Sequence, residues 1–512
     1  VYTSRCIHGY HHVYYNRWSR GPVFEIRTGT SLAALAVSPS EELDWCHWQV
    51  VRADRREMAP WKLTTPRLST SAPGPDQPGA ATGEVYCRTA GPHPGNPGVG
   101  WGEDPDGENG CQGVPDGRNG CASGPNQPWG DSAPQGIYWV LGKRVRLLPG
   151  KSFTLAFYWA GNQEGDGART TAVDLARRGW ERLLSETREW LRRRQHRVPE
   201  SVAGHQRLTH LLNLNSFFNY FFAQGYTVDG EELVLVTSRS PRYYVSAAFW
   251  ARDALLWSFP GVLLVDKTQA RRVLETAFNR YMRHPGIHSL YIDGSVLYPG
   301  FELDELAAYP IALHYYLKFT GDQAVLAEPW VREGLDRVLE VMATKRHPRV
   351  ALYETFLYPS DDPAEHPYVT YDNVLAWRAL LIAAALYRYW GAEEQSRQLA
   401  AEADRVAAAV RQHCVVAGPF GPMFAWCVDP DSGEYTLYDE PPGSLRMLHY
   451  YGFCALTDPV YRHTVQWIFS EHNPHYYPEA RFKEVGCPHT DEPFVMGLFN
   501  ALLNGQVEHA CA

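Results

Sequence analysis

From about residue 200 onward the chain keeps returning to one pattern, an apolar stripe of helical period followed by a loop. The stripes predict ten helices, at about 203–223, 246–258, 268–283, 303–319, 324–343, 371–390, 393–413, 443–453, 458–470 and 491–503. Consecutive helices of this length bury their stripes by pairing as antiparallel hairpins. Stacked hairpins form either an open solenoid or a closed ring. No 34- to 47-residue self-similarity is present, which argues against a solenoid. The expectation is therefore a helical barrel, with the loops at one end building a central pocket. Six hairpins need twelve helices and the sequence supplies ten, so the barrel is expected to lack its last hairpin.

The region before the helices is built differently. Residues 1–165 read as a β-sandwich-like domain, with short aromatic and β-branched runs such as "HVYYNRW", "GPVFEIRTG" and "GIYWVLGKRVRLLPGKSFTLAFYWAG" between turn residues. A Pro- and Gly-rich insertion interrupts it at 63–136 and carries the local repeat "PDGENGC" (105–111) and "PDGRNGC" (115–121). An exposed loop, a Ca²⁺-binding loop and a Cys111–Cys121 bridge are all compatible with that repeat. A linker helix is expected within 166–200. Ala176, Trp180, Leu183, Leu184, Thr187, Trp190 and Leu191 form its apolar stripe, and Arg192, Arg193 and Arg194 suit its C-terminal end. The domain reading is thus 1–165, 166–200 and 201–512.

Net charge is −9, so no basic field recruits nucleic acid. No apolar run reaches 18 residues, so no membrane partner is expected. The ten cysteines are dispersed without a CxxC pair, which fits reduced thiols and a cytoplasmic location. Neither HExxH, nor zinc spacing, nor a Walker A loop, nor a GxSxG elbow is present. No metal and no cofactor are therefore expected.

Carboxylates among aromatics remain. "AFWARDALLW" places Trp250, Arg252 and Asp253 at a helix start, as a structural ion pair or a fork for sugar hydroxyls. "GFELDELAAYP" puts Glu302, Asp304 and Glu305 in a first helical turn, where the macrodipole favours acids and a binding site could use them. "ETFLYPSDDPAEHPYVTYDN" is the densest cluster, with Asp361, Asp362, Asp372 and Asn373. "YDEPPGSL" adds Asp439, and "KEVGCPHTDEPF" adds His489. Paired carboxyls in an aromatic pocket are the chemistry of glycoside hydrolysis.

In this order the motifs "WARDALLW", "ELDELAAYPIALHYYLKFTGD", "YPSDDP…YVTYDN", "YDEPPGSL…YYGF", "SEHNPHYY" and "GCPHT" closely resemble glycoside hydrolase family 125, over about 245–503. The resemblance implies an (α/α)6 barrel and an exo-acting, metal-independent α-mannosidase that favours α-1,6 linkages and inverts the anomeric centre. Its partner would be a mannose-containing glycan or glycoside. The family's general acid maps to Asp362, with Asp361 beside it as a like charge that raises its pKa or as a ligand for a sugar hydroxyl. Trp250, Arg252, Asp253, Glu302, Asp304, Asn373, Asp439 and His489 fall on motif positions implied to line the sugar subsite. Departures exist. Glu305 stands where the family has a small residue, and "YVSAAFWARD" lacks an acid that the family carries. The family's base, a Glu in a Glu-Ser-Phe segment, has no match in 1–512, so the base is expected beyond residue 512. Another inverting (α/α)6 glycosidase, acting on α-glucosides or compatible-solute glycosides, and a non-catalytic glycan-binding protein are the alternatives.

Overall fold

The computed structural model describes residues 9–28, 31–52, 83–84, 135–227, 232–237, 248–489 and 492–511. It divides into two compact units, Ile7–Arg188 and Glu189–Ala512. Apart from residues 83–84 and 135–136, the insertion expected at 63–136 lies outside the described residues.

In the first unit, strands β1 (Gly9–Asn16), β2 (Gly21–Thr28), β3 (Ser31–Pro39) and β6 (Phe157–Asn162) pair antiparallel in the order β1-β2-β3-β6. A separate antiparallel pair joins β4 (Trp45–Arg52) to β5 (Gln135–Gly142), with Trp45 opposite Gly142. Residues two apart on a strand share a face. Ala34 and Ala36 therefore point the same way, and with Val23 and Ala160 they form a shallow surface. Helix α1 (Gly165–Arg178) lays Ala168 and Ala172 into it. Small side chains on both partners let the helix approach closely.

The expected linker helix is two helices. Helix α2 runs Trp180–Arg194, and Gly179 between it and α1 has φ +81°, a conformation glycine adopts without steric cost. The boundary between the two units falls inside α2.

The second unit is two-layered. Helices α3 (His205–Phe222), α4 (Phe259–Val265), α5 (Lys267–Arg280), α6 (Leu303–Thr320), α7 (Pro329–Thr344), α8 (Thr370–Tyr389) and α9 (Glu393–His413) follow one another, then α10 (Met447–Tyr450), α11 (Pro459–Ile468), α12 (Met496–Leu503) and α13 (Val507–Cys511). Helices α6 and α8 bury nearly every residue of their first three turns and pack on each other. A helix buried all round belongs to an inner layer. Helices α5, α7 and α9 bury one stripe each: in α9 it is Ala403, Val406, Ala409 and Val410, while its Glu and Arg residues face out. Each fully buried Leu or Ile of the inner layer contributes about 1.5–3 kcal/mol.

Two expected helices are reshaped. The one at 246–258 begins instead at Ala251, and its residues Arg252–Ser258 are wound as a π-helix that runs into α4. The one at 443–453 is reduced to α10, preceded by the turn Pro441–Gly443. Among the described residues no helix is long and apolar enough to cross a membrane.

Candidate active site

The inner helices present their N-terminal ends to one place. Arg252 opens the π-helix, Asp304 and Glu305 lie in the first turn of α6, and Asp372 and Asn373 lie in the first turn of α8. Arg252 is 2 % exposed and sits at the centre. Its Nη1 donates to Glu302 Oε2 (2.7 Å) and Asp304 Oδ2 (3.0 Å), and its Nη2 donates to Asp361 Oδ1 (2.7 Å). Its backbone N–H donates to Glu305 Oε2 (2.9 Å). Glu302 occupies the N-cap of α6, but its side chain caps nothing. It reaches instead to Arg252 and to His288 Nδ1 on the hairpin β7 (Ile287–Tyr291)–β8 (Val296–Phe301).

The "YPSDDP" loop divides its two acids between different partners. Tyr358 O accepts from Asp361 N (2.9 Å), and Asp362 O accepts from Tyr358 N (2.7 Å), closing a tight turn. Asp361 has φ +70°, the left-handed region that aspartate tolerates better than most side chains. Asp361 therefore turns inward to Arg252. Asp362 turns to Ser360 Oγ (3.1 Å) and lies 3.6 Å from His489 Nδ1. The Asp362 side chain is 31 % exposed. The loop is seated from below: Ser360 N donates to Glu440 Oε1 (2.8 Å), whose other oxygen accepts from Tyr438 Oη (3.1 Å). A Cβ at Gly443 would collide with the Pro359 ring and stand 3.1 Å from Tyr371, so the turn at 441–443 supports the loop only with glycine there.

Burial works against the Arg252 charge, but the carboxylates of Asp304, Glu302, Glu305 and Asp253 outweigh it and raise its pKa well above the ordinary value. Burial likewise opposes ionisation of Glu302, and Arg252 and His288 overcome it, so Glu302 lies below the ordinary glutamate range. Other acids go the opposite way. Burial, against the pull of Arg252, pushes Asp253 up to about 7. Burial also pushes Asp439 up to about 7 and Glu440 up to about 8. Asp372 is held well above its ordinary value by burial and by Asp304 and Glu302.

These shifts set a pH dependence. Between about pH 4 and pH 8 the folded protein keeps protons on Asp253, Asp439 and Glu440 that the unfolded chain has released. The stability they contribute is complete below about pH 4 and is lost as pH rises through 7 to 8. We expect Tm to fall by roughly 5 °C between pH 5.5 and 8.5, and Glu440→Gln to flatten the slope, both read by differential scanning calorimetry at constant ionic strength. A Tm that rises across this range would contradict the burial argument. Glu302 acts in the opposite sense, its contribution being lost only as the solution becomes more acidic than the glutamate range.

The structure thus brings Trp250, Arg252, Asp253, Glu302, Asp304 and Asp361 into one cluster, with Asp362 and His489 at its outer edge. Trp250 meets His288 edge-on, with ring centroids 5.8 Å apart. Asp361 spends its charge on Arg252 and is not simply a free like charge beside Asp362. Asn373 and Asp439 differ from the expectation that they line the sugar site. Asn373 binds the backbone of Tyr353 and Val369, Asp439 accepts from Leu445 N and Ser444 Oγ, and both are buried. They brace the surrounding loops. Sequence reasoning missed His288, which no motif marks, and Glu440, which its neighbour Asp439 overshadowed. The adjacent "DE" at 439–440 was the available signal.

Among the described residues, five buried side-chain atoms of this cluster have no hydrogen-bond partner: Trp250 Nε1, Arg252 Nε, Glu305 Oε1 and both carboxyl oxygens of Asp372. Such concentration is unusual, since buried polar atoms are nearly always paired. His288, Glu302 and Asp361 also bring ligand-type atoms within 4.8 Å of one another, as a metal site would. Arg252 already pairs with two of them, and its fixed positive charge opposes a cation there.

A helical barrel whose inner-helix N-termini gather buried carboxylates around one arginine, with a half-exposed acid at the edge, defines a class. That class is the glycoside hydrolases. Residues 345–502, about a third of the chain, match the family model described as metal-independent alpha-mannosidase (GH125). The segment includes Asp361, Asp362, Asn373, Asp439 and His489, while Trp250, Arg252, Asp253, Glu302 and Asp304 precede it and are joined to it by geometry. Among solved structures, the chain resembles a Streptococcus pneumoniae metal-independent α-mannosidase in non-productive complex with α-1,6-mannobiose, at 17% identity and TM-score 0.52, over 63% of this chain and 85% of the other. It also resembles a bacterial glucoamylase complexed with acarbose, at 11% identity and TM-score 0.51, over 90% of this chain and 61% of the other. At these identities the likeness is one of fold. No curated protein matches the chain.

Proposed function

We propose that this protein is an exo-acting α-mannosidase that removes terminal mannose, preferentially α-1,6-linked, with inversion and with Asp362 as the general acid. The observation that carries the reading is the separation of the two loop acids. Asp361 is locked to a buried arginine, while Asp362, whose side chain is equally exposed (31% against 33%), has no arginine partner among the described residues and faces His489 at the rim of a buried polar cluster. An acid that protonates a leaving oxygen must reach the substrate from such a rim. The buried cluster offers carboxyl and guanidinium groups, the partners that sugar hydroxyls require. The family match at 345–502 supports mannose as the sugar, and the mannobiose bound to the Streptococcus relative supports the linkage. The antiparallel strands of the first unit support a sandwich-like domain ahead of the barrel.

The test is incubation of the full chain, without added metal, with α-1,6-mannobiose and with a panel of α-mannosides and α-glucosides. Release of mannose with the β-anomer formed first, followed by proton NMR, is expected. Release of glucose in preference would replace the sugar in this proposal. Tight binding of mannosides with no turnover, in a chain extended to carry the Glu-Ser-Phe segment of the family, would leave a glycan-binding protein instead.

A further inference from the structure

Next to the acid cluster is an aromatic surface that the chemistry above does not use. Tyr298, on β8, is 47% exposed, and Phe356, three residues after the isolated bridge Arg346–Tyr353, is 58% exposed. Tyr298 lies against the acid cluster through His288, and Phe356 lies against the same hairpin at Gly300. The Tyr298 ring is 6.0 Å from the His288 ring, and His288 in turn binds Glu302 and lies 4.0 Å from Asp361 Oδ1. The pairing of β7 with β8 slips on either side of Ser289, next to His288. Phe356 is anchored by its N–H to Phe301 O (2.8 Å), and its ring lies over Gly300. A Cβ at Gly300 would stand 2.9 Å from that ring and 3.9 Å from His288 Cβ, and Gly300 has φ +136°, which strains any other residue. Glycine is therefore needed for the ring to approach the hairpin this closely, two residues along from Tyr298.

We propose that Tyr298 and Phe356 form a stacking shelf for the sugar on the leaving side of the cleaved bond. The inference rests on the glycosidase reading above and extends it to the residue beyond that bond. Buried, charged groups suit the hydroxyl-rich terminal sugar. The exposed rings suit the apolar C–H face of the next pyranose, and the position of Tyr298 beside His288, with Phe356 two residues along at Gly300, sets them outward of the cluster. Because aromatic faces read shape and not hydroxyl pattern, the shelf accepts pyranoses generally at that position.

Isothermal titration calorimetry separates the possibilities, carried out in the Asp362→Asn background so that ligand is not consumed. The probes are methyl α-mannoside and α-1,6-mannobiose. The disaccharide should bind about tenfold more tightly than the monosaccharide. Tyr298→Ala combined with Phe356→Ala should abolish that advantage while leaving the monosaccharide affinity and Tm unchanged, and Tyr298→Phe should retain it. An advantage that survives the double substitution overturns the shelf, as does a double variant that loses both ligands equally, or a parent that binds both equally. A parent that binds neither sugar instead removes the mannosidase reading on which the shelf depends.

Discussion

Arg252→Met is expected to destabilise the protein by roughly 3–5 kcal/mol, more than any other single exchange in the site. The reason is the company the arginine keeps. Glu302, Asp304 and Glu305 have side-chain exposures of 0–1%, and all three lie against one guanidinium that is itself 2% exposed, with His288 as a second partner of Glu302 alone and burial holding the Glu305 carboxyl well above its ordinary range. Remove it and the carboxylates must take up protons or repel one another in a medium that screens poorly. Arg252→Lys should recover only part of the loss, since an ammonium cannot serve Glu302, Asp304 and Asp361 from two fixed nitrogens. Urea unfolding at pH 7 measures this. A loss below about 1 kcal/mol for Arg252→Met would mean that the cluster is already neutral without its arginine.

Asp362→Asn should lower turnover of α-1,6-mannobiose by about 10²–10⁴-fold with little change in Tm, because proton donation to the leaving oxygen disappears while the fold contacts of a half-exposed side chain are few. A mannosyl fluoride, whose leaving group departs without needing a proton, should be far less affected. That contrast distinguishes a proton donor from a residue that merely positions the sugar, for which both substrates would suffer alike. Unchanged hydrolysis of the disaccharide would remove Asp362 from the mechanism.

Long periodic segments were legible in the sequence. Helices α8 and α9 match their expected ranges to within a residue, because twenty residues of consistent stripe outweigh local exceptions. Shorter features were not legible. The glycine at 179 sits inside a continuous helical pattern, and only its left-handed φ shows that the pattern is two helices. The π-winding of 252–258 has no periodic signature distinct from an ordinary helix. In the site, the acids and the arginine were visible as motifs because their chemistry is written in local strings. Their division of labour was not. Asp361 and Asp362 are neighbours in sequence, and only the backbone turn reveals that one serves Arg252 and the other faces His489. His288 joins the cluster through a hairpin and a slipped register, which no string of residues announces.

The bridge between Arg252 and Asp361 closes a span of 109 residues. Helices α5, α6 and α7 all lie within that span, so the loop bearing the proposed proton donor is seated against Arg252 only once they have been brought together. Local helix formation is fast and closure of so long a loop is slow. Until that span is closed, the loop that holds Asp361 and Asp362 has no fixed place against Arg252.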